Sequence, residues 1–533
     1  MGVAQGRVGD MAEVRALSVV VAGNAALSSL RFLVGVLGAL ATSVLLARYL
    51  GPTDFGTYRL AMSLVWVLEL ASVLGFPNAT TKFVAELSGS PESGRWTAAV
   101  RFFLVRATVG YLIGFALLLA FRRSVARFYH DETLASILVV AALAVLPGLW
   151  CGILSAGLQG LQRFGELSRI TLGQAIASLA GTVLVVAFAG GIQGLFVLAI
   201  GVNVLGLAMA TRCARRASPL AGRGAEFGPE LRRRMWRYSL MLAAISLTGA
   251  LLSERLEVFF LGRFWSPAEV GFYSLAVTLA FHARRLGPNA LGEVLFPVIA
   301  RLDGRGDAWG VANAYVHSTR YLAMAAFPLG VGGAIFAGPL LRMLFGPAYL
   351  PAAPALAVLM TATGLAALSH PAASVILSKE RNAFLLVSSL LIAAANILLD
   401  LLLIPPYAAI GAAMANAVVQ AVWLTVQTVI VSRWLRVRLP GGNIARSLLA
   451  TLLAFVPAAS IRTWPLLGGA ADVLLTLGTF VVLYPVLLAV LGALLPQDMT
   501  RLRALEGAVP LWARPHAAMI LSILSAFMRA RPR

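Results

Sequence analysis

The chain has 533 residues, is 59% hydrophobic and only 12% charged, yet carries a net charge of +21. A soluble domain is about a quarter charged, so this composition excludes one and points to an all-α integral membrane protein. The positive charge does not read as nucleic-acid binding. The arginines sit in short loops beside apolar segments, where basic residues set topology, and no basic stripe interleaves with aromatics. Cys151, Cys213 and the five histidines lack disulfide-framework or metal-ligand spacing, so no metal or other cofactor is expected.

Apolar runs of about 20 residues, each able to cross a bilayer core as a helix, recur at 24–47, 58–77, 102–121, 134–158, 169–190, 194–212, 238–262, 271–297, 319–345, 352–377, 383–404, 408–432, 444–461 and 472–495. That is an expected fourteen spans. Gly51-Pro52, Pro77-Asn78 and Pro405-Pro406 punctuate them. The apolar run 17–46 is too long for the core of a cleavable signal. With the N-terminus placed in the cytoplasm, cytoplasmic segments and span ends hold 30 of the 43 basic residues and outer ones hold 8. The arginine-rich loop after span six, Arg212 to Arg237, then lies inside, as basic loops do. Both termini are therefore expected in the cytoplasm. The stretch 517–533 reads as an amphipathic interfacial helix rather than another span.

An internal repeat orders these spans. Residues 48–64 (RYLGPTDFGTYRLAMSL) and 263–279 (RFWSPAEVGFYSLAVTL) share seven of seventeen positions at an offset of 215, among them Pro52/Pro267, Gly56/Gly271 and Tyr58/Tyr273. Six spans separate the copies, so the halves share an orientation, related about an axis along the membrane normal. The expected organisation is two parallel six-helix lobes around a central cavity, 1–220 and 221–437, then two added helices (438–497) and a cytoplasmic tail (498–533). The Gly-Pro turns themselves read as packing features, since glycine and proline act through backbone geometry.

The turn Leu46-Ala47-Arg48-Tyr49-Leu50-Gly51-Pro52 through Phe55-Gly56-Thr57-Tyr58, followed by Gly75 through Phe83-Val84-Ala85-Glu86, resembles the first two helices of bacterial polysaccharide-biosynthesis flippases. These belong to the multidrug/oligosaccharidyl-lipid/polysaccharide exporter superfamily. The resemblance implies a non-enzymatic transporter of the cell (inner) membrane. It would move polyprenyl-diphosphate-linked oligosaccharide from the cytoplasmic to the outer leaflet by alternating access, coupled to H⁺ or Na⁺. Implied partners are the lipid-linked oligosaccharide, membrane lipids and a glycan polymerase or glycosyltransferases. Other readings stay open: a cation-coupled multidrug extruder, a peptidoglycan-precursor flippase, or a membrane-embedded glycan polymerase, against which the short outer loops argue. No Walker A loop or Ser-His-Asp set is present.

A diphosphate needs cationic partners, preferably arginine with its forked donors, and a charge inside a span is costly enough to mark a functional candidate. The candidates are Arg31 in span one, Glu69 in span two, Glu254, Arg255 and Glu257 in the outer half of span seven, and Arg284 in span eight. Two roles are open to Glu69: pairing with Arg31, or binding the coupling cation. Arg284 and Arg285 face the cavity unless Gly287-Pro288-Asn289 ends span eight early and leaves them among headgroups. Asp400 is expected at an interfacial helix end. Arg106 is expected to snorkel, and in-span amides such as Asn203 and Asn396 to bridge helices.

Overall fold

The structure, a computed structural model, describes the backbone of residues 2–88, 96–217, 227–251, 255–286, 288–463 and 470–505, and of 521, 522 and 525. Side chains are described from Val36 onward, apart from 248, 251, 285–294, 382, 458–471, 473–474 and most beyond 500. The described residues are helical and contain no strand. This follows from the medium, because in hydrocarbon every backbone polar group must be satisfied within its own segment or in a closed barrel.

The helices are α1 (Gly2–Val73), α2 (Phe76–Ser88), α3 (Trp96–Phe128), α4 (Leu134–Leu143), α5 (Val145–Gly160), α6 (Phe164–Ala187), α7 (Gly191–Ala217), α8 (Pro229–Leu251), α9 (Leu256–Phe264) and α10 (Pro267–Leu286). They continue as α11 (Pro288–Gly304), α12 (Ala308–Ile335), α13 (Ala337–Phe345), α14 (Ala353–Ala367), α15 (His370–Ser378), α16 (Asn382–Leu435), α17 (Gly441–Thr463), α18 (Ala470–Val490) and α19 (Pro496–Leu505). Seven stretches of described residues are long and apolar enough to cross a membrane, or eight if α12 and α13, bent by 65°, form one span. Two of the seven, Val36–Ser88 and Ala383–Leu435, are 53 residues each. A straight helix of that length would be about 80 Å, more than twice the bilayer core, so both must be interrupted.

The interruptions are local and visible. Gly51 (φ 71°, ψ 176°) breaks α1, and Leu74 and Gly75, both at positive φ, separate it from α2. Ala408 (φ 50°, ψ −134°) breaks α16 just after Pro405-Pro406. There the chain reverses, since a Cβ on Gly411 would overlap the Leu403 carbonyl eight residues back. Several expected spans are likewise interrupted: 134–158 divides at Ala144, 238–262 has a turn residue just before Leu256, and 319–345 divides at Phe336.

The chain forms two compact units, Met1–Gly271 and Phe272–Arg533. Helix α8 packs on α2 and α9 on α1, and both helices, with the second copied turn as far as Gly271, fall in the first unit. Contacts within that unit alternate between two ends. One end joins the Gly191 N–H to the Tyr49 hydroxyl (3.1 Å), Thr57 to Asp131 (3.3 Å) and Arg263 to His130 (3.0 Å). The other packs Gly160 on the Thr81 carbonyl and binds Arg234 to Glu86 through two hydrogen bonds (2.7 and 3.1 Å). Phe76, Phe83, Phe103 and Met235 form an apolar core at that second end. Residues 57, 86, 131, 160, 191, 234 and 263 thus switch ends in turn, as successive crossings require.

The two copied turns meet within this unit. A Cβ on Gly56 would overlap the Pro267 carbonyl and lie 2.9 Å from the Gly271 nitrogen. Reciprocally, a Cβ on Gly271 would overlap the Pro52 carbonyl and lie 3.3 Å from the Gly56 nitrogen. Each glycine therefore sits against the proline of the other copy, the self-complementary contact that a local two-fold relation produces.

In the second unit α12, α14 and α16 pack as neighbours. A Cβ on Gly364 would lie 2.9 Å from the Ala326 carbonyl and 3.3 Å from the Gly330 Cα, the small-residue crossing typical of membrane helices. Arg320 and Asp498, both buried, pair there and fasten α19 to α12. The Tyr321 hydroxyl (2.6 Å) and the Leu495 N–H (2.8 Å) also donate to Asp498.

Candidate functional site

The limb of α1 beyond Gly51 carries Arg59, Trp66 and Glu69, spaced by seven and three residues. Those intervals return to one side of a helix. Arg255 comes to this side from the break between α8 and α9. Its guanidinium carbon lies 4.5 Å from the centre of the Trp66 ring, a cation–π separation. The charges of Arg255 and Glu69 interact, and Arg59 feels the charge of Arg255. Two guanidinium groups, one carboxylate and an indole face thus converge, all within the first unit.

Arg255 is the N-cap residue of α9, with helical backbone angles (φ −88°, ψ −20°). Its guanidinium lies over Trp66, whereas Glu257, two residues on, is buried. Both Arg255 and Glu69 keep exposed surface, which leaves them open to a bound group.

The other expected site residues are distributed differently. Arg31 lies in α1, but its side chain is outside the described residues, as is Glu254 altogether. The charge partner of Glu69 among described residues is Arg255. Arg284 belongs to the second unit, half-buried near the end of α10, with its guanidinium carbon 5.8 Å from the Phe281 ring. Gly287, where span eight was expected to end early, lies outside the described residues. Asp400 is fully buried in α16, eight residues before the break at Ala408, and accepts a hydrogen bond from Asn396 (2.9 Å). Arg106 donates to the Phe102 carbonyl (3.0 Å) and stacks on the Phe102 ring. Asn203 donates to the Ala144 carbonyl (2.9 Å) at the break between α4 and α5, the expected interhelical role.

Arg59 is the residue that the sequence reading missed. It stands at the start of a span, next to the turn, and so counts as a headgroup arginine. The available signal was its register with Glu69 and Trp66 on a single face. Among described residues no group of three His, Cys, Asp or Glu side chains is placed to hold a metal ion.

The chain's long apolar helices define a multi-pass helical membrane protein. The family model described as "Polysaccharide biosynthesis protein" matches residues 45–354, more than half of the chain, and the protein belongs to that family. A stretch of 131 residues is 28% identical to the teichuronic acid biosynthesis protein TuaB of Bacillus subtilis (strain 168), covering 24% of this chain and 26% of that relative. The match therefore spans about a quarter of the curated relative. In fold, the chain resembles the lipid II flippase MurJ in an inward closed conformation (TM-score 0.68, 13% identity, 86% of this chain and 97% of that one). It also resembles an inward-facing multidrug-resistance MATE transporter (TM-score 0.59, 14% identity, 75% and 95%).

Proposed function

We propose that this protein is a flippase that carries a polyprenyl-diphosphate-linked oligosaccharide from the cytoplasmic to the outer leaflet by alternating access. The observation that supports the reading is the grouping of Arg59, Arg255, Glu69 and Trp66 at one face of a membrane helix, in a member of a polysaccharide-biosynthesis family. A diphosphate crossing a low-dielectric core needs compensating cations, and forked guanidinium donors match phosphate oxygens. Two arginines against one carboxylate leave a net positive site, which suits an anion and disfavours the cationic drugs of an extruder. The indole offers a flat face to a sugar or prenyl segment beside the phosphates. Glu69 is the group through which H⁺ or Na⁺ acts: its neutralisation releases Arg255 to the substrate, and its charge reclaims Arg255 afterwards. The basic end of the first unit faces the cytoplasm in this reading, and both termini lie there.

The test is reconstitution in vesicles with a polyprenyl-diphosphate oligosaccharide on one leaflet. Arg59→Ala and Arg255→Ala are expected to lose translocation at least tenfold at unchanged protein level, and Glu69→Gln to lose its dependence on a proton or sodium gradient. Wild-type translocation in both arginine variants would remove the diphosphate clamp.

A further inference from the structure

At the end of the first unit that carries Glu86, the start of α8 and the end of α2 enclose a cavity of about 790 Å³. It is lined by Lys82 and by Glu230, Arg233, Arg234, Arg237, Tyr238 and Met241. Residues 230, 234, 237 and 241 repeat at helical spacing, so α8 gives the cavity one continuous face.

The charges divide into two sets. Lys82 (2.9 Å) and Arg234 (2.7 Å) are both held by Glu86, and the Lys82 ammonium also lies 3.8 Å from the centre of the Phe83 ring. These groups build the wall and are already compensated. Arg233 and Arg237, four residues apart, are exposed and form no ion pair among the described residues. They are the cations left for a ligand.

Polarity along the face is ordered. Glu230 and the arginines come first, then Tyr238, then Met241, beside which Leu240 is also exposed on the helix surface (52% and 53% for Leu240 and Met241). A charged mouth leading along the helix to exposed apolar side chains fits a molecule with a phosphate at one end and hydrocarbon at the other. A soluble phosphate would leave that apolar surface unused. The same order recurs at the end of α7, where Val204, Leu207 and Ala208 lead to Thr211, Arg212 and Arg215 around a cavity of about 660 Å³. Basic pockets between helices at a membrane surface are suited to anionic lipid headgroups.

We propose that the α2–α8 cavity binds the headgroup of an anionic membrane phospholipid, with its phosphate between Arg233 and Arg237 and its first acyl carbons on Tyr238 and Met241. Such a lipid would hold α8, the helix that ends just before Arg255, against α2. The assignment stands apart from what the protein transports.

The experiment uses the full chain in detergent, titrated with phosphatidylglycerol or phosphatidylcholine and read by native mass spectrometry. The wild type is expected to retain one phosphatidylglycerol at least tenfold more tightly than it retains phosphatidylcholine. The Arg233→Gln/Arg237→Gln double variant is expected to hold one tight lipid fewer, and Arg233→Lys/Arg237→Lys to keep most of the preference. Both positions are exposed, so folding is unaffected. Equal phosphatidylglycerol retention by wild type and the glutamine variant overturns the proposal, as does equal retention of the two lipids by wild type. Displacement of the lipid by inorganic diphosphate at micromolar concentration overturns it in favour of a soluble-phosphate site.

Discussion

The two copied turns are alike where they meet and unlike just beyond. Pro52/Pro267 and Gly56/Gly271 form a reciprocal contact in which either glycine fills the space that a side chain would need. Along the following limbs, at the same offset, Arg59 corresponds to Ser274, Trp66 to Phe281 and Glu69 to Arg284. The aromatic position persists, and each aromatic has an arginine over it: Arg255 at 4.5 Å from Trp66 and Arg284 at 5.8 Å from Phe281. What changes is charge. The first limb brings arginine and glutamate to an arginine from elsewhere, whereas the second supplies its arginine itself and buries a serine where the first has Arg59. Backbone contacts admit few residue types and therefore stay alike in the two copies. Charges facing an open space are constrained only by what binds there.

Breaking the shared part should have the largest effect. Gly56→Leu or Gly271→Leu would drive a side chain into the backbone of the other copy, and either is expected to abolish accumulation of folded protein, measured by fluorescence-detected gel filtration. Gly38→Leu, at a position with open space around it, is expected to accumulate normally. A folded Gly56→Leu protein would deny the reciprocal contact.

The buried pair of the second unit comes next. Arg320→Ala leaves Asp498 buried without its cation and should cost about 3–5 kcal/mol in a reversible unfolding assay, the range for breaking a buried ion pair. Arg320→Met with Asp498→Leu should recover most of it. No loss in the single variant would show that α19 is not fastened through this pair.

The unlike part can then be exchanged. Glu69→Arg gives the first limb the charge of the second and places three guanidinium groups together. Translocation of the lipid-linked substrate is expected to fall about tenfold or more, with normal protein level, while Arg284→Glu is expected to cost less. Equal losses would make the two limbs equivalent after all. The smallest effect is expected from Trp66→Phe, which makes the first aromatic match the second. Phenylalanine keeps part of a cation–π contact worth about 0.5–2 kcal/mol, so a weakening of substrate affinity of about two- to tenfold is expected by vesicle binding, and an unchanged affinity would take Trp66 out of the site.

Much of the fold was legible in the sequence because a bilayer imposes one-dimensional rules. Apolar length gives helices, proline and glycine give breaks, and the repeat gives the pairing of turns. The contacts that alternate along the first unit agree with the crossings read from hydropathy between residues 57 and 263. The breaks inside the spans at Ala144, before Leu256 and at Phe336 were not legible, since an apolar run reads alike whether its helix is whole or broken. The site was half legible. Glu69, Arg255 and Arg284 announced themselves as charges in apolar surroundings. Arg59 did not, because beside a turn a charge looks like a headgroup contact.

By itself, then, the sequence determined a helical membrane protein with a duplicated turn and a short set of costly charges. Those properties follow from hydropathy, backbone chemistry and charge counting, which act along the chain. The tertiary structure alone decided which charges share a space. Whether Arg255 lies over Trp66 beside Glu69, or Arg320 against Asp498, depends on where helices break and cross. These choices set separations of a few ångströms between residues 178 or more positions apart, at which the order of residues carries no direct information.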